Sequence, residues 1–326
     1  MHCVRQPTTL PALAAVFGIT ACAASVEPQA PAPPSPTAGA STSANTRKPQ
    51  TPEAPPTPLC GKIECRLFDT PQQAFAAVIE SNPVVVAVGE AHAQRGTEHL
   101  PSTAVRFSET LLPMLSGHAS DLVVELAVGR PECRESEQQV EEKQAPVTET
   151  QAETNQNEYV KMGHRAKALG ITPHPLRPTC EDFEAIAQAG DTAVDVMLRM
   201  VARLFADQVA ALLLHNARAG IDRGVVTYGG LVHNDLVPRE GRDAWSFGPK
   251  LRSLVRGRYV EVDLIVPEYI RDEPPWTSLP WVPRFDKTVN PQKVRLLNPS
   301  PGSYVLVFAQ SDAPKAAPKA NPEPGP

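Results

Sequence analysis

Three unbroken apolar runs, each ending in glycine or a polar side chain, constrain this chain more than any other feature. Val84-Val85-Val86-Ala87-Val88 leads into Gly89-Glu90-Ala91-His92. Asp121-Leu122-Val123-Val124-Glu125-Leu126 carries a carboxylate near its end. Val225-Val226-Thr227-Tyr228 leads into Gly229-Gly230-Leu231-Val232-His233. Runs without polar alternation are strands buried on both faces, as in a parallel sheet. Helical spacing of apolar residues covers 68–81, 97–115, 162–169, 181–219 with a break at Gly190, and 249–256. Asp69 or Thr70 can cap the first of these, with Pro71 in its first turn. Further strands are predicted over 170–173, 259–266 and 304–308. Strands alternating with helices predict an α/β fold: a mainly parallel central sheet with helices on both faces, in a single domain over 60–310.

Both ends of the chain read differently. Residues 1–21 form a signal peptide, with Arg5 as a basic start and an apolar stretch over 10–19 too short to span a bilayer. Ile19-Thr20-Ala21-Cys22 looks like a bacterial lipobox, so Cys22 is the expected lipidation site. The alternative is an ordinary secretory signal cut near Ala21 or Ala24, and either gives export. Residues 22–59 then serve as lipid anchor and disordered linker. Ten prolines between positions 28 and 58 favour extended polyproline II over a packed core. Residues 311–326 repeat this composition and are expected to be disordered. Ala23 is not acidic, which points to the outer membrane of a bacterial cell envelope. The formal net charge of −5 disfavours nucleic acid as a partner. The expected partners are a membrane, through the N-terminal lipid, and a small-molecule, peptide or haem ligand.

Cys60, Cys65, Cys133 and Cys180 remain after the leader, an even number in an oxidising compartment. Of three connectivities, Cys60–Cys65 with Cys133–Cys180 is preferred, and a zinc site is the competing reading. The second pair would staple a polar insertion, 131–158, which contains Cys133 and eight Glu. It reads as a solvated helix or disordered excursion, or else as a mobile lid.

Ligands of open α/β sheets bind beyond the carboxyl ends of the strands. Glu90, His92, Glu125 and His233 all fall there and are the candidate catalytic residues. Histidine moves protons near neutral pH or binds a metal, and a neighbouring carboxylate fixes its tautomer. His92, Glu125 and His233 are the candidate metal ligands, and Asp235 is placed to orient His233. His174 could join the site from a further strand end. Arg95 is a possible anion contact. Trp245, Trp276 and Trp281 could wall a ligand or cover the sheet.

The order of these elements resembles the ChaN-like haem-binding lipoproteins, within a wider group that includes the Tiki proteases, TraB-like proteins and erythromycin-esterase-like hydrolases. The resemblance rests on Phe68-Asp69-Thr70-Pro71, Gly89 to His92, Glu125, and Gly230 to His233 followed by Pro238. It implies an α/β core and either of two activities. One is a metal-assisted hydrolase of ester or peptide bonds, using a divalent metal ion. The other is a haem- or iron-binding lipoprotein without turnover, for which Tyr228 and Tyr159 are the nearest ligand candidates.

Overall fold

The computed structural model describes residues 59–148, 151–152, 155–274 and 276–311. The expected signal peptide, Cys22, the linker apart from Leu59, and the tail apart from Ser311 lie outside the described residues. Every described residue belongs to one compact unit.

Eight strands form one sheet in the order β1-β7-β8-β6-β2-β5-β3-β4. They are β1 (Arg66–Phe68), β2 (Val85–Glu90), β3 (Ala119–Ala127), β4 (Thr172–Leu176), β5 (Gly224–Gly230), β6 (Tyr259–Ile265), β7 (Val294–Ser300) and β8 (Ser303–Val307). Pairings β2/β5, β2/β6, β3/β4, β3/β5 and β6/β8 are parallel. Only β7 with β1 and with β8 is antiparallel. The sheet is therefore mixed and mostly parallel, and the α/β class follows. The helices are α1 (Pro71–Ile79), α2 (Thr103–Arg106), α3 (Arg134–Thr148), α4 (Asn155–Ala168), α5 (Cys180–Gln188), α6 (Ala193–Ala219) and α7 (Gly248–Leu254).

Local chemistry accounts for the helix ends. Thr70 accepts the backbone N–H of Gln73, whose side chain returns to the backbone of Thr70, and Pro71 opens α1. Thr179 and Asp182 repeat this reciprocal cap on α5. Gly220, at φ 67°, ends α6 in the left-handed conformation that glycine adopts without a Cβ penalty. Neighbouring strand residues pack into different clusters, as the pleat requires. Val86 and Val88 join Phe75, Phe107 and Met162, whereas Val85 and Ala87 join Phe205, Val209 and Leu251.

Several expectations shift. The helix expected over 97–115 begins only at Thr103, after Pro101, then continues as a π turn, Phe107–Leu111, and a 3-10 turn, Leu112–Leu115, around Pro113. The polar insertion holds α3 and the first turn of α4. Both disulfides, Cys60–Cys65 and Cys133–Cys180, are formed. Among the described residues no helix is long and apolar enough to cross a membrane.

Candidate acid-base site at the strand ends

β2 and β5 run in parallel register, with Gly89 opposite Gly229 and Glu90 opposite Gly230. On the other side of β5, Val124 of β3 pairs with Tyr228, so Glu125 follows at the level of Gly229. Three strands thus deliver their polar endings to one place. The glycines make room for them. A Cβ on Gly229 would lie 2.5 Å from Glu125 Oε2, and one on Gly230 would lie 3.2 Å from His92 Nε2 and 3.5 Å from Glu125 Oε2. His92 Nε2 and Glu125 Oε2 therefore flank a single point above Gly230.

Glu90 is buried and accepts three hydrogen bonds. The Tyr159 hydroxyl donates to Oε1, the Tyr228 hydroxyl donates to Oε2, and His92 Nδ1 lies 2.8 Å from Oε1. Burial, the charges of Glu90 and other nearby carboxylates, and the bonds to Glu90 raise both phenols well above their ordinary range, so they remain donors. The rings support one another: Tyr159 meets Tyr228 edge-on at 5.7 Å, and Phe107 lies 4.8 Å from Tyr228.

For His92, burial alone would lower the imidazole, but the hydrogen bond and charge of Glu90 and the charge of Glu125 lift it to about 9. For Glu125, burial alone would raise the carboxyl. The charge and hydrogen bond of His233, the charge of His92 and the Gly230 N–H overcome this and hold it at about 2. The Gly230 N–H donates to Glu125 Oε2 at 2.6 Å, and His233 Nε2 lies 3.5 Å from Oε1. At neutral pH the site therefore sets a carboxylate against an imidazolium. His233 is buried, and its Nδ1 donates to the Trp245 carbonyl at 2.8 Å.

Glu90, His92, Glu125 and His233 thus come together. Asp235 does not orient His233: its Oδ1 accepts the Val237 N–H, and the Trp245 carbonyl performs the orienting role. His174 stands apart, 2.8 Å from Asp121 near the opposite end of β3. Arg95 is exposed and does not line the adjoining cavity, whereas Trp276 does. That cavity measures about 440 Å³ and opens on His92 and Gly230. Leu231, Trp276 and Leu279 give it apolar wall, while Arg239, Arg242 and Arg271 give it positive charge. Gln151, from between α3 and α4, also lines it.

Among the described residues no group of three or more His, Cys, Asp or Glu side chains is placed to hold an ion, so His92, Glu125 and His233 do not form the expected three-ligand metal set. The tyrosines considered for haem iron do not fit either, because both hydroxyls are committed to Glu90. Neither the cavity arginines nor the bonding of the tyrosine pair to Glu90 is marked by the strand-end pattern. Arg239 and Arg242 follow a strand-end histidine by six and nine residues, a spacing that could have drawn attention to them.

No family model and no curated protein matches the chain. Among solved structures it is similar to the type III effector HopBA1, at 10% sequence identity and a TM-score of 0.40, over 77% of this chain and 99% of that one.

Proposed function

We propose that the strand-end site hydrolyses ester or peptide bonds by acid-base catalysis, on an exported chain that Cys22 anchors by lipid to the outer membrane. One observation carries the catalytic reading. Glu90 holds His92 through Nδ1, leaving Nε2 and the Glu125 carboxylate on either side of one point above Gly230. A histidine oriented at one nitrogen and open at the other supports the acid-base reading. Glu125 polarises the attacking water and accepts its proton as the new C–O bond forms. The scissile C–O or C–N bond breaks as His92 Nε2 delivers its proton to the leaving oxygen or nitrogen. Glu90 and His233 act as positioning residues, the first on His92 and the second on Glu125.

Kinship with the ChaN, Tiki and esterase-like group is part of this proposal. Its support is the sequential order of Gly89–His92, Glu125 and Gly230–His233 and their spatial convergence. So is a single domain over 60–310 with helices on both sheet faces, supported by the two separate clusters that share the strands. Anchoring is supported by the lipobox-like residues before Cys22.

The test is turnover by the purified full chain on a panel of p-nitrophenyl esters and short peptides. His92→Ala and Glu125→Ala should each lower kcat/KM by about 10²- to 10⁴-fold. With His92 as the acid, activity is lost as pH rises through about 9. A rate that instead climbs through that range would make His92 a base, and unchanged activity in both variants would sink the site.

A further inference from the structure

The cavity beside His92 holds two arginines whose charges the protein offsets only in part. Arg239 and Arg242 are both half-buried in its wall. Arg239 Nη1 donates to the Ser278 carbonyl and hydroxyl, which fixes the guanidinium without neutralising it. Arg242 lies over the Trp245 ring at 5.1 Å, and among the described residues its guanidinium donates no side-chain hydrogen bond. Among the described residues neither forms an ion pair within 4 Å. The nearby Asp235 spends Oδ1 on the Val237 N–H and is itself raised by burial. Arg271 differs, because Glu273 balances it at 3.6 Å. Burial and the charge of Arg242 push Arg239 below its ordinary range and outweigh the opposing charge of Asp235, so the pair repel one another. In a chain of net charge −5, two adjacent cations facing a cavity are a local exception. Planar guanidinium forks match carboxylate and phosphate oxygens geometrically as well as electrically.

We propose that Arg239 and Arg242 form an oxyanion-binding subsite, so that the substrate carries a carboxylate or phosphate group beside the bond cut at His92. This deepens the hydrolase reading and rests on it for the word substrate, but anion binding itself does not. The apolar wall at Leu231, Trp276 and Leu279 then receives the uncharged part of the same molecule.

Two measurements on the full chain separate the ideas. The first is calorimetric titration with succinate, inorganic phosphate and the neutral control succinamide. Succinate or phosphate should bind and succinamide should not. Arg239→Gln with Arg242→Gln should weaken anion binding about 10- to 100-fold, the Arg→Lys pair should retain part of it, and Arg271→Gln should change it little. The tighter of the two anions identifies the recognised group. A thermal melt of the Gln pair at the wild-type temperature excludes misfolding as the cause. The second measurement compares p-nitrophenyl hemisuccinate with p-nitrophenyl acetate. The Gln pair should raise KM for the first by a similar factor and leave the second alone. Equal binding of succinamide, or undiminished anion binding by a folded Gln pair, overturns the subsite. Anion binding without turnover of either ester supports the subsite and removes the hydrolase reading. Turnover of both esters without anion binding does the reverse.

Discussion

Tyr228→Phe removes one hydroxyl from the core beside Glu90 and leaves the ring stack with Phe107 and Tyr159 in place. Glu90 Oε2 then loses its donor inside a buried site, which costs about 1–3 kcal/mol of stability, measurable by denaturant titration. A second consequence is chemical. The tyrosine hydroxyl draws charge from the Glu90 carboxylate, and without it more charge faces His92. The imidazole should titrate above its present value of about 9, as read from its ring proton shifts. An unchanged titration would mean that Glu90 does not govern His92. At this scale the sequence was informative about identity and silent about partnership. Glu90, His92, Glu125 and His233 were legible because they sit just beyond unmistakable strands. Tyr228 stands in an apolar run and is legible only as a candidate haem ligand; nothing in its neighbours reveals that Glu90, 138 residues away, accepts its hydrogen bond.

The polar insertion and the helices around it set the next scale. α4 carries Tyr159, Met162 and Ala166 on one buried face, at helical spacing. That stripe begins where the acidic stretch ends, so a boundary drawn at 158 concealed that Tyr159 reaches Glu90. The Cys133–Cys180 bond joins the start of α3 to the start of α5 across a separation of 47 residues. Cys133→Ser with Cys180→Ser frees that loop in the unfolded chain and should lower stability by about 2–4 kcal/mol in denaturant. His92 should titrate as before, because α4 is held by its own core contacts. A shifted titration would show that the disulfide, not packing, positions Tyr159. Strands β1 and β7 escaped sequence reading for a different reason. β1 has only three residues. β7 contains Arg295 and Pro299, which break the apolar pattern. Arg295 is nevertheless fully buried, its guanidinium donating to the carbonyls of Lys287, Val289 and Phe308. Such compensation comes from three separate backbone positions and leaves no mark in the local sequence.

Across the whole molecule, opposite pKa shifts set a pH range for stability. Glu261 and Asp263 on β6 are buried. Burial pushes both well above the carboxylate range; the charge of Asp263 adds to this for Glu261, while the Asn234 hydrogen bond opposes it for Asp263. Groups raised on folding contribute stability that is present below their unfolded values and lost as pH rises through the folded ones. His92, raised from 6.5 to about 9, acts in the same direction. Glu125 is lowered from 4.5 to about 2, so its contribution is present above 4.5 and lost as pH falls toward 2. Stability should therefore decline steadily from neutral pH to about 9, and Glu261→Gln should flatten that decline. Denaturant midpoints measured across pH check this, and a protein that grows more stable from neutral to alkaline pH would contradict it.

By itself the sequence determined the strands of the parallel core, the alternation with helices, and the residue types at the strand ends. Those features are local: β-branched runs, caps and periodicity act over a few residues. The tertiary structure alone decided that two tyrosines clamp Glu90, that the Gly230 N–H meets Glu125, that a carbonyl rather than Asp235 orients His233, and that two arginines face the same cavity. Each of those is a contact between segments far apart in the chain. Their geometry depends on strand order and register, which emerge only when the whole sheet is paired and its core closed.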